Sequence, residues 1–470
     1  MSLTSLTYLI FLLICVCAYY ILPKQARQYL LLGFSVFFYG YVMPEQLLIM
    51  MVYIWIVFVV GRLIDKCADK AKKTLLVAGI MVSVGFLFFY KYLNFTISLF
   101  GGTDKTLSLI VPMGISYITF QCISYMVEVY KGKMPVITNP VSFFVYTLLF
   151  MKVTAGPIEE PKSFFDNLYR DNAIEWKGIL EALGLIAMGF VKKMVVADAL
   201  APYVAMTMDS PEGKDGLSIL LAVFMYSLQI YFDFSGYTDI ARGSAKLFGI
   251  SLTENFKHPY MSKSIREFWR RWHISLSDWL KNYIYFPLGG SRVGVFRRYL
   301  NIIIVFLVSG IWHGASFNFI IWGLLHGIYQ VIEIILEPAM VKVRRVLHIK
   351  EEGLLHKTVS GVRTFILVMI AWVFFRAATL GQALAIIKGL FTPWKNIVYV
   401  YENSLPDAKL LILVAVAIAF VWIGEMWCKK ATKLNIKVFA LSVVSVWLVL
   451  VAMIFTSGTD TVNSFIYFDF

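Results

Sequence analysis

Two histidines in this chain occupy positions where chemistry is expected. His273 lies in SIREFWRRWHISLSDWLKNYIYFPLGGSR, a charged, tryptophan-rich passage that begins at Ser264, and His313 lies in the apolar run VFLVSGIWHGASFNFIIW that ends at Trp322. An ionisable residue inside an apolar span is by default a functional-site hypothesis. Imidazole titrates nearest neutrality, and burial among apolar groups lowers its pKa further, so an embedded His313 would be a neutral base able to take the proton of an attacking hydroxyl. Ser309, four residues earlier, is placed to share a hydrogen bond with it, and Gly310 and Gly314 flank it at a spacing that permits close helix packing. A lone buried histidine is more often a satisfied core residue; two in one organised segment favour function.

Around these two stand further candidates. His326, in WGLLHGIYQ, is a third imidazole, and Trp312 and Asn318 flank His313. Read as one helix, Ile265, Phe268, Trp269, Trp272, Leu276, Trp279 and Leu280 repeat at three and four residues and make one apolar face, with His273 along it. Arg266, Arg270, Arg271 and Lys281 are placed to meet phosphates at a membrane surface, although a basic amphipathic helix is usually only an interfacial element. In YFDFSGYTDIARGSAKLFGI, Asp233 and Asp239 follow an apolar span, and Arg242 sits three residues after Asp239, so an ion pair and a pocket-lining role are both open. TAGPIEEPKSFF, from Thr154, reads as a Gly-Pro helix break and an ordinary loop. The terminal NSFIYFDF offers the phenol of Tyr467, either an interface anchor or a nucleophile on a tail.

The elements that must hold these groups are membrane helices. With 59% hydrophobic and 15% charged residues among 470, the chain has more apolar surface than a soluble domain can bury, whereas each bilayer crossing takes about 20 apolar residues. The reading is an all-α polytopic membrane protein forming one domain, residues 1–470. Its parts are N-terminal helices over 1–111, a catalytic core over 112–336, C-terminal helices over 337–456 and an extracytoplasmic tail over 457–470. Apolar runs recur from Leu3–Leu22 to Val438–Phe455, and some, such as Val141–Val153, are too short to cross, which points to re-entrant helices. Others, such as Leu107–Val129 and Ile179–Leu200, read as unbroken spans.

Basic residues after the first, third and fifth runs place those loops in the cytoplasm and the N-terminus outside, and the net charge of +14 then meets anionic membrane lipids rather than nucleic acid. The five cysteines have no paired spacing and read as buried small hydrophobes. The chain has no H-E-x-x-H pair, no Walker loop and no G-x-S-x-G elbow, which argues against a metal site, an ATPase and a serine hydrolase.

Taken together, TAGPI, YFDFSGYTDIARG, NFKHPYMSKSIREFWRRWHISLSDWL, YIYFPLGG, SGIWHGA and WGLLHG resemble, in order, the membrane-bound O-acyltransferases, in particular the bacterial branch that acetylates alginate. The resemblance covers most of the chain from about Pro112, with the N-terminal third similar mainly in hydropathy. It implies a ring of roughly 11–14 spanning and re-entrant helices around a central funnel. It also implies that His313 is the family's invariant histidine, that His273 fills its second polar position, and that Tyr467 relays an acyl group. The implied donor is a cytoplasmic acyl thioester, acetyl-CoA first, acting as co-substrate with no bound cofactor. The implied acceptor is a surface polysaccharide, reached through an extracytoplasmic SGNH-type acetyltransferase partner, and the implied location is the bacterial cytoplasmic membrane. Donor-pocket candidates are Arg270, Arg271, Trp269, Trp272, Asp233, Asp239, Ser309, Trp312, Asn318 and His326. D-alanyl transfer to teichoic acid and peptidoglycan O-acetylation are the alternatives within the enzyme class, and a transporter or channel is the alternative outside it.

Overall fold

The computed structural model describes residues 1–101, 106–170, 175–351, 353–431, 436–457 and 465–466, and the regular elements among them are helical. Among the described residues seven helices are long and apolar enough to cross a bilayer, and an eighth span arises if the pair Ile397–Ser404 and Ala408–Gly424, bent by 89°, is counted as one. The chain is a multi-pass membrane protein.

Two expected spans are interrupted. The run Leu107–Val129 breaks at Gly114, which takes φ +70° and passes so close to the Val153 carbonyl that a Cβ would clash with it; the helix begins only at Ile115. The run Ile179–Leu200 divides into a helix over Trp176–Phe190, a π-helical turn over Val191–Ala197 and a second helix from Asp198 to Met208. The wide turn carries Lys192 and Lys193, both buried.

The chain divides into two compact units. The first comprises the described residues within 1–193, 236–253 and 419–466. Buried polar staples fix it. Lys152 Nζ donates to Gln121 Oε1 at 2.9 Å and to the Tyr146 carbonyl at 2.6 Å, while Glu159 accepts from the backbone N–H and the hydroxyl of Thr253 at 2.8 and 3.0 Å. The segment read as an ordinary loop is thus a structural clasp with a buried carboxylate at its centre. Lys192 and Arg242 both pair with Asp239, at 2.6 and 3.2 Å. Near the C-terminus, Phe465 is buried against the Tyr237 ring at 5.0 Å, with Lys193 Nζ 4.6 Å from its centroid.

The second unit, residues 194–235 and 254–418, contains both histidines of interest. Its frame is a helical hairpin, Val295–His313 and Phe317–Val346, backed by Leu354–Arg376. The hairpin crosses at two glycines: a Cβ on Gly310 would run into the Phe319 carbonyl oxygen, and one on Gly323 into that of Phe306. Small residues at such a crossing bring the backbones together in a membrane, where apolar burial alone drives no association. Ser316 caps the second helix by accepting from the Asn318 N–H at 3.3 Å, so only three residues separate His313 from the next helix.

Two cysteines depart from expectation, Cys67 being half-buried. Cys15 and Cys122 are buried, but Cys17 is exposed on the Leu6–Ile21 helix. A thiol serves as a small hydrophobe facing lipid as well as facing a core.

Candidate active site

The passage read as one amphipathic helix is two short ones, Ile265–Trp269 and Ile274–Leu280, with His273 between them at φ +43°. The cause is a neighbouring segment that takes the backbone bonds a continuous helix would use. The Lys257 N–H donates to the Arg271 carbonyl at 2.9 Å, the Ile274 N–H to the Asn255 carbonyl at 3.1 Å, and the Ser275 N–H to Asn255 Oδ1 at 3.0 Å. Asn255 thereby caps the second helix from outside it. A left-handed backbone at a non-glycine residue costs roughly 1–2 kcal/mol, and the Asn255 clamp holds it here. His273 is fully buried, its ring 4.9 Å from Phe234 and 6.2 Å from Trp312, and burial lowers its pKa well below the ordinary imidazole value. The ring is therefore neutral.

His313 ends its helix in an aromatic box. Its ring lies 4.9 Å from Trp312, 4.8 Å from Trp322 and 5.3 Å from Phe375, each edge to face. Trp312 thus contacts both catalytic candidates. The expected bond from Ser309 to His313 is not formed; Ser309 Oγ is buried and meets no hydrogen-bonding partner among the described residues. The imidazole instead packs against rings of the two helices that follow.

Trp322, His326 and Gln330 succeed one another at four-residue intervals and so line one face of their helix. His326 is buried against Trp322 at 5.2 Å, and its Nδ1 accepts from the indole N–H of Trp269 at 3.2 Å. Trp269 is also a wall of a cavity of about 440 Å³, together with Arg266, Arg270, Lys281, Phe306 and Gln330. From this cavity, contacts run through Trp269 to Trp322 at 5.7 Å and from Trp322 to His313 at 4.8 Å.

The other expected residues are distributed unevenly. Arg270 lines the cavity, but Arg271 is engaged by Glu267 at 2.6 Å. Trp272 is buried between Phe256 and Trp372, at 4.9 Å from each, and serves packing. Asn318 donates to the Ala377 carbonyl at 2.6 Å and so ties the His326 helix to the end of Leu354–Arg376. Asp233 is buried in the same unit as the histidines, whereas Asp239 belongs to the other unit and is committed to its two cations. Tyr467 lies outside the described residues.

Sequence reasoning passed over Asn255, Trp372, Phe375 and Gln330. Asn255 had a signal, since it opens the NFKHPY stretch that precedes His273. Trp372 and Phe375 sit in an unremarkable apolar run and carried none.

A buried imidazole in an aromatic box, joined by ring contacts to a cavity with a basic wall, suits acyl transfer to a hydroxyl. Comparison with known proteins agrees. The model of the membrane-bound O-acyltransferase family matches residues 2–378, which takes in the N-terminal third. The probable alginate O-acetylase of Pseudomonas aeruginosa is 35% identical over 80% of this chain and 71% of its own length. The peptidoglycan O-acetyltransferase of Helicobacter pylori is 35% identical over 78% of this chain and 74% of its own. The teichoic acid D-alanyltransferase of Bacillus subtilis is 30% identical over 47% and 58%. The transporter or channel reading falls away, and the chain belongs to the membrane-bound O-acyltransferase family and is an acyltransferase.

Proposed function

We propose that this protein transfers an acetyl group from a cytoplasmic thioester, acetyl-CoA, to hydroxyls of a cell-surface polysaccharide, with His313 as the general base. The observation that carries the reading is the line of contacts from the basic cavity to His313. The cavity meets the His313 helix at Ile302, Val305 and Phe306, so His313 lies seven residues beyond it, about 10 Å farther along the axis. At the other end of that helix stand Arg297 and Arg298, next to Arg292, which the positive-inside rule assigns to the cytoplasm. A donor would thus present its phosphates to Arg266 and Arg270, Lys281 being paired with Asp278 at 3.5 Å on the same wall, and direct its acyl end past Trp269. The acceptor would reach His313 from the opposite side. The same rule puts the N-terminus outside a bacterial cytoplasmic membrane.

Acetyl is favoured over D-alanyl because the P. aeruginosa and H. pylori relatives, both named for O-acetyl transfer, align with 80% and 78% of the chain and the B. subtilis D-alanyltransferase with 47%. The relatives named for alginate and for peptidoglycan differ in acceptor, which supports a surface glycan as the class. An extracytoplasmic SGNH-type transferase completing delivery, and Tyr467 as a relay to it, belong to the same proposal.

The test is release of CoA from acetyl-CoA by the purified full chain in lipid nanodiscs supplied with alginate and peptidoglycan oligosaccharides as acceptor hydroxyls. Wild type is expected to release CoA, and the double variant R266E/R270E to do so with KM raised about 100-fold, about tenfold for each charge-assisted hydrogen bond lost. No CoA release by wild type would exclude this donor.

A further inference from the structure

We propose that Trp322, His326 and Ser309 form the cradle that holds the acyl carbonyl oxygen as charge develops on it, an inference that rests on the acyl-transfer reading of this site. An indole N–H can only donate, so the 3.2 Å bond from Trp269 obliges His326 Nδ1 to accept, and the neutral ring then carries its proton on Nε2. That Nε2–H is buried and meets no acceptor among the described residues; the same holds for the Trp322 indole nitrogen and for Ser309 Oγ. Each buried donor left without an acceptor costs about 1–3 kcal/mol. Packing alone would be served as well by Phe, Leu and Ala, which have no donor to strand.

Two of the donors touch each other, and the helix crossing brings the backbone next to the third beside them. Trp322 and His326 are one turn apart with rings at 5.2 Å, and Trp322 touches His313 at 4.8 Å. Ser309 sits beside Gly310, the glycine that meets Gly323 at the helix crossing, and Gly323 follows Trp322. Trp269 stands between the cavity and all of this, 5.1 Å from His326 and 5.7 Å from Trp322. An acyl group entering from the cavity would therefore meet these donors beside the base.

In the reaction the acceptor oxygen bonds to the carbonyl carbon while His313 takes its proton, and the carbonyl π electrons move onto oxygen. Those electrons return as the carbon–sulfur bond breaks, and the departing thiolate receives the proton from His313. Between these events the oxyanion would accept hydrogen bonds from the Trp322 indole, His326 Nε2–H and the Ser309 hydroxyl. Donors fixed before the charge appears need no reorganisation, which is why removing one of them is felt in kcat.

The experiment compares wild type, Trp322→Phe and Ser309→Ala by CoA release from acetyl-CoA in nanodiscs supplied with the same acceptor oligosaccharides. It also reads the carbonyl stretch of a carbon-13-labelled methyl ketone analogue of acetyl-CoA bound to each. Trp322→Phe keeps a ring and loses the N–H; it is expected to lower kcat about 100-fold with KM unchanged, the scale seen when one such donor is deleted. The ketone stretch should move to lower frequency in wild type and recover toward its free value in the variants. Ser309→Ala, the smaller change, decides the matter if Trp322→Phe does not fold. Wild-type kcat in the folded variants, with an unshifted ketone in wild type, would overturn the cradle alone, whereas no CoA release by wild type would overturn the donor reading with it.

Discussion

Replacing His313 with alanine is expected to reduce acyl transfer by about 10²–10⁴, the contribution of a positioned general base, while leaving the protein inserted and folded. Insertion should survive because His313 ends its helix, and the Gly310–Gly323 crossing and the Ser316 cap both lie outside its side chain. The measurement is acetylation of the surface polymer in cells, alongside CoA release by the purified variant and its elution as a single species in detergent. His313→Gln is the sharper version, since it keeps a polar side chain of similar reach but cannot take a proton near neutral pH. Undiminished transfer in that variant would move the base elsewhere, with His273 next in line.

The second large effect comes from a residue with no chemistry of its own. Gly323→Ala adds one methyl where the Phe306 carbonyl oxygen already stands, so the two hairpin helices must separate or slide. Either movement shifts Trp322 and His326 relative to His313, and a misplacement of about 1 Å at a reacting centre can cost about 100-fold in rate. Overpacking of this kind also destabilises by about 1–3 kcal/mol. Gly85→Ala is the control: the space beside Gly85 is open for 4 Å, and alanine is the better helix former. A thermal-unfolding series with transfer rates should show Gly323→Ala slow and less stable, and Gly85→Ala unchanged or slightly stabilised. Equal behaviour of the two would remove the crossing from the argument.

How far the sequence could be read depends on the range of the forces involved. His313 and the glycines around it were legible because a helix repeats every few residues, and a histidine in such a run advertises itself. The break at His273 was not. It is imposed by Asn255 and Lys257, which pair with the backbone of residues 271–275 across about 14 to 20 positions of chain. Periodicity within 264–280 is satisfied as well by one helix as by two, so only the pairing distinguishes them. Ser309 shows the opposite error. Its four-residue spacing from His313 was right, yet the ring turns to Trp322 and Phe375 from helices whose approach local spacing cannot report. Asp239 and Arg242 did pair as spacing allowed, and Lys192, from 47 positions away, completed the set.

The indoles of the second unit have an optical consequence. Trp269 lies 5.7 Å from Trp322, Trp322 stacks on Trp372 at 5.9 Å and 19°, and Trp372 lies 4.9 Å from Trp272. Chromophores this close share their excitations, so four of the chain's 12 tryptophans should act as one coupled absorber through the strong far-ultraviolet transition of indole, with a paired positive and negative circular-dichroism band. Because Trp269 walls the cavity and Trp322 touches His313, that signal should change when a thioester enters, before any bond is broken. Stopped-flow dichroism with acetyl-CoA would then time donor arrival separately from transfer.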